Sequence, residues 1–508
     1  MAFNSLEYVL LLLVASLLFF GAGYRGRLIV LIAASLVFYA AWNVPLVSLI
    51  VISALVDFGA GRLLGHYQGA AGGQGAAGGQ GAAGGQGAAG GQGAAGGEGG
   101  EGERGRARKR KAVLAVSLLV NLGLLAYFKY ANFFLDNLHE VFGVGPGAGY
   151  LDIVLPPGIS FYTFQTMSYT IDVYRGKIRP TTSFLRFFLY VSFFPQLIAG
   201  PIERAGHLLV QFDQAATRRF HVENLVSGAQ MIIWGMFKKV IIADHCGRLA
   251  DQVYADPTGF DGWSALVATY AFTLQIYCDF SAYSEIARGS ARIFGIDLMV
   301  NFDQPYLSRN ISEFWRRWHI SLSNWFRDYV YVPLGGNRKG KARTLANLTI
   351  TMFLSGLWHG AAWTFVLWGL FHGLLLLLNA QLGARVRARL PDRPWAHLAQ
   401  WILCFHLVVF GWILFRAADL SQFVAVVKAI AGALGGLVLG GGGPSGAQAL
   451  FMLGVFGFCW LSLVARRTRL LERIWASPVS AVVFATALIL LMLLFGLPNG
   501  PQFIYFQF

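Results

Sequence analysis

The segment LANLTITMFLSGLWHGAAWTFVLWGLFHGLLLLLNA, residues 345–380, is the longest apolar run of the chain and contains no Asp, Glu, Lys or Arg. A continuous helix of this length would extend about 54 Å, whereas the hydrocarbon core of a bilayer is about 30 Å thick. The segment must therefore break, tilt steeply or leave the membrane. Gly356, Gly360 and Gly369 are the expected break points, because glycine leaves the backbone most freedom.

Apolar runs recur along the rest of the chain. Of its 508 residues, 56% are hydrophobic and 13% are charged, about half the charged share of a soluble domain. The sequence predicts an all-α polytopic membrane protein with about 10 to 13 membrane-embedded helices, some of them re-entrant or interfacial. The apolar runs lie near residues 6–23, 28–42, 44–64, 112–135, 345–380, 398–415, 447–465 and 479–497, with less regular ones at 151–174, 184–200, 227–243 and 263–287.

The net charge of +15 does not indicate nucleic-acid binding, because the basic residues cluster in loops between apolar runs. Arg25 and Arg27 follow the first run, and RGRARKRK occupies residues 104–111. The positive-inside rule places both loops in the cytoplasm and the N-terminus outside. We also expect these loops to attract anionic lipids. The first run lacks the basic flank of a signal peptide, so we expect it to be a retained helix.

Composition divides the chain into three parts. Residues 1–68 form N-terminal transmembrane helices, and residues 112–508 form one membrane core. Residues 69–111 between them repeat GAAGGQ and end in the basic run. A six-residue period is compatible with a β-solenoid, but no β-branched residues are present to stack, so we expect a flexible cytoplasmic loop. The Gly-rich stretch at 432–446 is predicted to be a second loop.

The stretch SEFWRRWHISLSNWFRDY, residues 312–329, concentrates Trp and Arg around one histidine. If it is helical, its apolar side chains and the histidine follow 3–4 spacing and share one face. An interfacial helix explains Trp and Arg at a membrane boundary, but it does not explain a histidine on the apolar face. That face consists of Trp315, Trp318, His319, Leu322 and Phe326.

Other polar residues at membrane depth have simpler interpretations. In residues 277–292, Asp279 and Tyr283 are i and i+4 neighbours and Glu285 and Arg288 are i and i+3 neighbours, which favours a structural network. His359 and His372, thirteen residues apart, would face different ways on one unbroken helix. We interpret His372 as a core residue.

Metal and disulfide chemistry have little support in the sequence. The four cysteines, Cys246, Cys278, Cys404 and Cys459, are scattered without metal-ligand spacing, so we expect small buried residues. A metal or haem site among the histidines would need Cys or carboxylate ligands nearby, and the spacing offers none. We predict no bound cofactor and no metal.

Several long motifs resemble the membrane-bound O-acyltransferase family, in its bacterial alginate O-acetyltransferase branch. The resemblance covers nearly the whole chain outside residues 69–110. The motifs are EFWRRWHISLSNWFRDYVYVPLGGNR (313–338), SGLWHGAAW (355–363), LPPGISFYTFQTMSYTIDVYRG (155–176), LIAGPIER (197–204), DFSAYSE (279–285) and FIYFQF (503–508).

The resemblance implies a helical fold around a central tunnel and two catalytic histidines, which map onto His319 and His359. It implies acetyl transfer from cytoplasmic acetyl-CoA toward hydroxyls of an extracytoplasmic exopolysaccharide such as alginate, through periplasmic acetyl-relay proteins. A neutral imidazole suits a general base for the acceptor hydroxyl, a role we assign to His359. His319 would position the acyl group or stabilise the oxyanion, with Ser321 or Asn324 orienting it.

Two other function classes stay open at this point. A lipid-linked sugar transporter or flippase predicts internal repeats and polar residues spread over many spans. A non-catalytic scaffold for a polysaccharide synthase predicts that both histidines are dispensable. The polar residues instead concentrate around 279–328 and 359, which favours acyl transfer.

Overall fold

The protein folds entirely into helices within the residues that the structure describes. This computed structural model describes residues 1, 3–72, 98–143, 151–389, 391–440, 442–498 and 500–504. Its α-helices are α1 (Leu6–Gly21), α2 (Tyr24–Ala40), α3 (Val47–Gly72), α4 (Glu98–Leu125), α5 (Ala131–Phe142), α6 (Ile159–Tyr174), α7 (Phe184–Ser192), α8 (Ala205–Thr217), α9 (Val222–Phe237), α10 (Asp244–Ala255), α11 (Gly262–Ile293), α12 (Ile311–Arg317), α13 (Ile320–Phe326), α14 (Gly340–His359), α15 (Trp363–Arg389), α16 (Pro394–Arg416), α17 (Leu420–Val438), α18 (Gly446–Thr468), α19 (Leu470–Ala476) and α20 (Pro478–Phe495). Residues 126–130, 238–243 and 327–331 are π-helical, and residues 305–307 form a 3-10 turn.

Eight helical segments in these described ranges are long and apolar enough to cross a membrane, and α1 is a shorter apolar helix. Many of their side chains point outward: Leu493 and Leu494 of α20 are 77% and 73% exposed. Leucine side chains that are exposed to this extent on an apolar helix are expected to contact lipid rather than water. The predicted all-α polytopic fold is confirmed. The eight segments are Val47–Gln68, Gly102–Phe142, Val222–Ala255, Trp363–Gly383, Pro394–Arg416, Leu420–Val438, Gly446–Thr468 and Pro478–Phe495.

Two further apolar helices, α6 and α11, lie inside the bundle and are covered by protein. Most side chains of both helices are buried, and α11 packs against α9, α10, α16, α17 and α18. The approach of α9 to α11 is close, because a Cβ on Gly228 would lie 2.6 Å from the Gly289 carbonyl oxygen. The less regular apolar runs at 151–174 and 263–287 thus face other helices rather than lipid, whereas the run at 227–243 lies within the membrane-crossing segment Val222–Ala255.

The long apolar segment 345–380 breaks once. Helix α14 ends at His359, Gly360 is extended, and α15 starts at Trp363. Of the three predicted break points only Gly360 is correct. Gly356 and Gly369 remain helical, and they meet where α14 and α15 pack against each other.

The prediction of one amphipathic helix over 312–329 is wrong. Helix α12 begins at the Asn310 cap, which accepts a hydrogen bond from the Glu313 amide at 3.0 Å, and it ends before Trp318. His319 then adopts the left-handed conformation with φ 41°, and α13 follows. The Trp318 indole is buried against Trp412, with ring centroids 4.9 Å apart, so it does not lie at the headgroup level. Aromatic packing replaces the expected interfacial position.

Parts of the two segments predicted to be loops are helical. Helix α17 continues to Val438, so the first half of 432–446 is helical. Helix α4 begins at Glu98, so the basic run at 104–111 is helical too. Most of the GAAGGQ repeat, residues 73–97, lies outside the described residues, as do positions 505–508 of the terminal motif. The four cysteines are buried and free.

Candidate active site

His319 is held by its backbone at the join between α12 and α13. The Ile320 amide donates to the Asn301 carbonyl, and the Ser323 amide donates to the His319 carbonyl, both at 2.9 Å. The imidazole is fully buried and contacts the Phe280 ring edge to face, with centroids 4.6 Å apart. Burial lowers the pKa of His319 to about 3, because a charged imidazole would lose its hydration. The ring is therefore neutral at physiological pH.

His359 is the last residue of α14, and its ring packs against side chains of α15 and α16. The imidazole is 3% exposed and contacts Trp358, Trp368 and Phe415, with ring centroids 5.0, 4.9 and 5.1 Å away.

The two histidines predicted from the sequence contact one indole. The Trp358 ring lies 5.8 Å from the His319 ring and 5.0 Å from the His359 ring. Phe161, from the LPPGISF motif, packs against both His319 and Trp358, with centroids 6.2 and 5.3 Å away. Three motifs far apart in the sequence therefore form one aromatic site.

A cavity of about 70 Å³ opens beside this site. His359 and Lys129 supply its ionisable groups, and Ser160 at the start of α6 supplies a hydroxyl. Its remaining lining is Trp42, Leu155, Pro156, Pro157, Gly158, Ile159, Phe161, Ile198 and Trp358. The cavity can therefore hold a small polar group against the His359 imidazole.

Lys129 is a site residue that the sequence reasoning missed. Its ammonium donates to the Trp358 carbonyl at 2.8 Å and to the His359 carbonyl at 2.9 Å. The neighbouring Tyr130 hydroxyl donates to the Leu357 carbonyl at 2.6 Å. The signal was present, since Lys129 is the one charged residue within the apolar run 112–135, and ionisable residues at such depth mark functional positions.

The other residues expected near the histidines have different surroundings. The Ser321 hydroxyl donates to Asn301 Oδ1 at 2.9 Å and accepts from the Ile202 amide at 3.0 Å, and its role in orienting His319 stays a prediction. The role given to Asn324 stays a prediction. His372 is fully buried and packs on Trp315 and Trp368, with centroids 5.3 and 4.8 Å away, as a core residue would.

The acidic residues of α11 form a structural network, but with partners other than those predicted. Lys239 Nζ lies 3.1 Å from Asp279 and 2.7 Å from Asp244, and Lys238 Nζ lies 2.8 Å from Glu285. The predicted i+3 and i+4 pairs are wrong, because the partners of these carboxylates are lysines of the π-helical segment 238–243, which packs beside α11.

This network also fixes the last described residues. Asp279 accepts from the Ile504 amide at 2.8 Å, and Lys239 donates to the Pro501 carbonyl at 2.9 Å. The Phe503 ring stacks on Tyr283 at 4.2 Å. In the part of the chain that the structure describes, no group of three or more His, Cys, Asp or Glu side chains could hold a metal ion.

The cavity and the basic residues lie at opposite ends of α6. Ile159 and Ser160 at its start line the cavity. At its end, Arg110 lies over the Tyr174 ring at 5.2 Å, and Arg175 donates to the Asp328 carbonyl at 3.1 Å. Sixteen helical residues span about 24 Å, so most of a bilayer thickness separates the two ends.

Comparison with known proteins identifies one family model and several relatives whose names describe acyl transfer. The model of the membrane-bound O-acyltransferase family matches residues 175–416, which include both histidines. A probable alginate O-acetylase of Pseudomonas aeruginosa is 44% identical over 321 residues, 62% of this chain and 59% of that protein. A peptidoglycan O-acetyltransferase of Helicobacter pylori is 35% identical over 343 residues, 63% of this chain and 64% of that protein.

A more distant relative is matched over a larger share of its length. A teichoic acid D-alanyltransferase of Streptococcus thermophilus is 30% identical over 286 residues, 51% of this chain and 67% of that protein. The chain spans less than two thirds of the length of the two acetylating relatives.

Proposed function

Because this chain belongs to the membrane-bound O-acyltransferase family, we propose that it is an O-acetyltransferase of the bacterial inner membrane. It moves an acetyl group from cytoplasmic acetyl-CoA to hydroxyls of an extracytoplasmic polysaccharide, directly or through periplasmic relay proteins. The observation that carries this proposal is the contact of His319 and His359 with one indole beside a cavity.

In the proposed step His359 acts as the general base. Its neutral imidazole takes the proton of an acceptor hydroxyl while that oxygen attacks the thioester carbonyl carbon. The C–S bond then breaks, and the thiolate leaves and is protonated by the imidazolium, so that atoms and charge balance. His319 donates a hydrogen bond to the carbonyl oxygen as negative charge develops on it. A neutral imidazole carries one N–H, which is the kind of donor that this role requires.

The choice of acetyl and of a polymer acceptor follows the relatives. The names of all three describe acyl transfer, to alginate, to peptidoglycan and to teichoic acid. We choose acetyl because the acetylating relatives are the more similar ones, at 44% and 35% identity. Alginate is the proposed acceptor for the same reason.

The position of the cavity supports an acceptor on the outer face. The basic ends of α4 and α6 meet at one side of the bundle, which the positive-inside rule assigns to the cytoplasm. The cavity lies at the other end of α6, so an acceptor from outside reaches His359 there. The N-terminus shares that side in this orientation.

The test compares the O-acetyl ester content of extracellular polysaccharide between wild type, His359→Ala and His319→Asn at matched membrane levels. Asparagine is used at 319 because it tolerates the left-handed backbone of that residue. We expect ester content to fall at least a hundredfold in both variants. His221→Ala, at a side chain that is more than half exposed, serves as the control and should retain ester. Wild-type ester in both site variants would exclude histidine-dependent acyl transfer and favour a scaffold.

A further inference from the structure

We propose that Lys129 is a positioning residue for His359: its ammonium fixes the end of α14 and holds a positive charge beside the imidazole. This inference rests on the proposed function, in which His359 is the general base. It begins from the C-terminus of α14, where the last carbonyl groups lack partners within the helix and carry partial negative charge.

Lys129 and Tyr130 together cap that helix end. Three successive carbonyls, of Leu357, Trp358 and His359, accept hydrogen bonds from these two side chains at 2.6–2.9 Å. Both donors come from the π-helical turn 126–130 that follows α4.

The two caps differ in charge and in location. Lys129 lines the cavity together with His359, whereas Tyr130 is not part of that lining. The ammonium also lies 6.0 Å from the centre of the Trp358 ring, the indole that both histidines contact. Lys129 is therefore linked to the backbone of His359, to the indole beside it and to the cavity that it faces.

The charge has a chemical consequence for a general base. Burial is the main factor that disfavours the charged form of the His359 imidazole and so lowers its pKa, and the neighbouring His319, Lys129 and His372 add to that effect. Of these, Lys129 is the one that holds a full positive charge when it is protonated, as on the acid side of neutrality. A cation beside an imidazole disfavours the protonated form of the imidazole. The base therefore stays neutral, and able to accept a proton, down to a lower pH. When the charge is removed, activity should fail first on the acid side.

The test separates the charge of Lys129 from its structural role. Permeabilised cells, which retain periplasmic partners, receive radiolabelled acetyl-CoA, and ester-bound label in polysaccharide is measured from pH 5 to 9. The variants are Lys129→Gln, Lys129→Arg and Tyr130→Phe, compared with wild type and His359→Ala. Gln keeps a donor without charge, Arg keeps the charge, and Tyr130→Phe removes a neutral cap of the same helix end.

We expect Lys129→Gln to move the acid limb of the pH profile up by about one pH unit, with a loss of activity that approaches about tenfold at the acid end of the range and disappears at high pH. Lys129→Arg should return the limb to its wild-type position, and Tyr130→Phe should leave it in place. Equal losses in Lys129→Gln and Tyr130→Phe at every pH would overturn the inference. Lys129→Met is the second neutral variant should the Gln protein accumulate poorly.

The same experiment distinguishes failure of this inference from failure of the proposed function. If His359→Ala gave as much ester-bound label as wild type, the proposed function itself would be refuted. Loss of label in His359→Ala, together with an unmoved acid limb in both neutral Lys129 variants, would remove the role of Lys129 alone.

Discussion

Gly356 and Gly369 meet at the crossing of α14 and α15, where a Cβ added to either glycine would lie 3.0 Å from the Cα atom of the other. This crossing joins a residue before the break at Gly360 to a residue after it, and so holds the two helices together. The direction in which α14 ends, and with it the position of the His359 ring, depends on that close approach.

Gly356→Ala should lower the thermal unfolding temperature in detergent by several degrees. The new methyl group would lie 2.3 Å from the Phe365 carbonyl oxygen, and such overpacking costs about 1–3 kcal/mol. Gly457→Ala on α18 is the matched control, because nothing lies within 4 Å of its Cβ position. An unchanged midpoint in Gly356→Ala would contradict the crossing geometry.

Lys239→Met should destabilise the protein far more than Lys238→Met. Lys239 neutralises two carboxylates that are nearly inaccessible, whereas Glu285, the partner of Lys238, is 28% exposed. Removing one partner of a buried pair costs about 3–5 kcal/mol. The measurement is the yield and unfolding temperature of the detergent-solubilised proteins, and equal values for the two variants would refute the argument.

Limited proteolysis should report the same network at the end of the chain. In Lys239→Met the Pro501 carbonyl and Asp279 lose a common partner. The segment 500–504 should therefore become accessible to the added protease. Mass spectrometry of the intact protein detects the loss of the terminal residues. Cleavage at the wild-type rate would show that the packing of Phe503 on Tyr283 alone holds the segment.

The stability of the fold should decrease between pH 6 and pH 8.5 through His207. The hydrogen bond from the His207 ring to the buried Glu203 carboxylate, 2.8 Å long, raises the pKa of His207. A raised folded-state pKa means that the contribution is complete below the unfolded value and is lost as pH rises through the folded value. The group is about half-exposed, so the effect is below about 1 kcal/mol. His207→Gln should flatten the difference in unfolding temperature between these pH values.

Trp358→Leu should reduce acetyl transfer more than Trp358→Phe does, at equal protein levels. The indole contacts both imidazoles, and a phenyl ring preserves part of that aromatic contact whereas leucine does not. Trp395→Leu, on a side chain that is 60% exposed, should be neutral. Ester content of the polysaccharide is the readout, and equal activity of the Leu and Phe variants would argue against an aromatic requirement.

Features that depend on the length of an apolar segment or on a motif could be predicted from the sequence. Features that depend on the backbone of one residue or on a neighbouring helix could not. The thickness of a bilayer required a break within 345–380, and the WHG motif placed His359 beside it. The 3–4 spacing of 312–329 describes a face, but it is insensitive to one left-handed residue, so the division at His319 was missed. The ion pairs of Asp279 and Glu285 depend on which helix packs beside α11, and spacing along one helix contains no such information.

The left-handed backbone at His319 and the helical backbone at His359 affect how a saturation mutagenesis data set should be interpreted. At position 319 every β-branched or bulky substitution carries a conformational penalty before its chemistry is considered, while Gly and Asn escape it. At position 359, in ordinary helical geometry, substitutions report the loss of the imidazole more directly. Comparing the fitness of the Asn variant with that of the Val variant at each position therefore separates the effect of backbone strain from the effect of losing the imidazole.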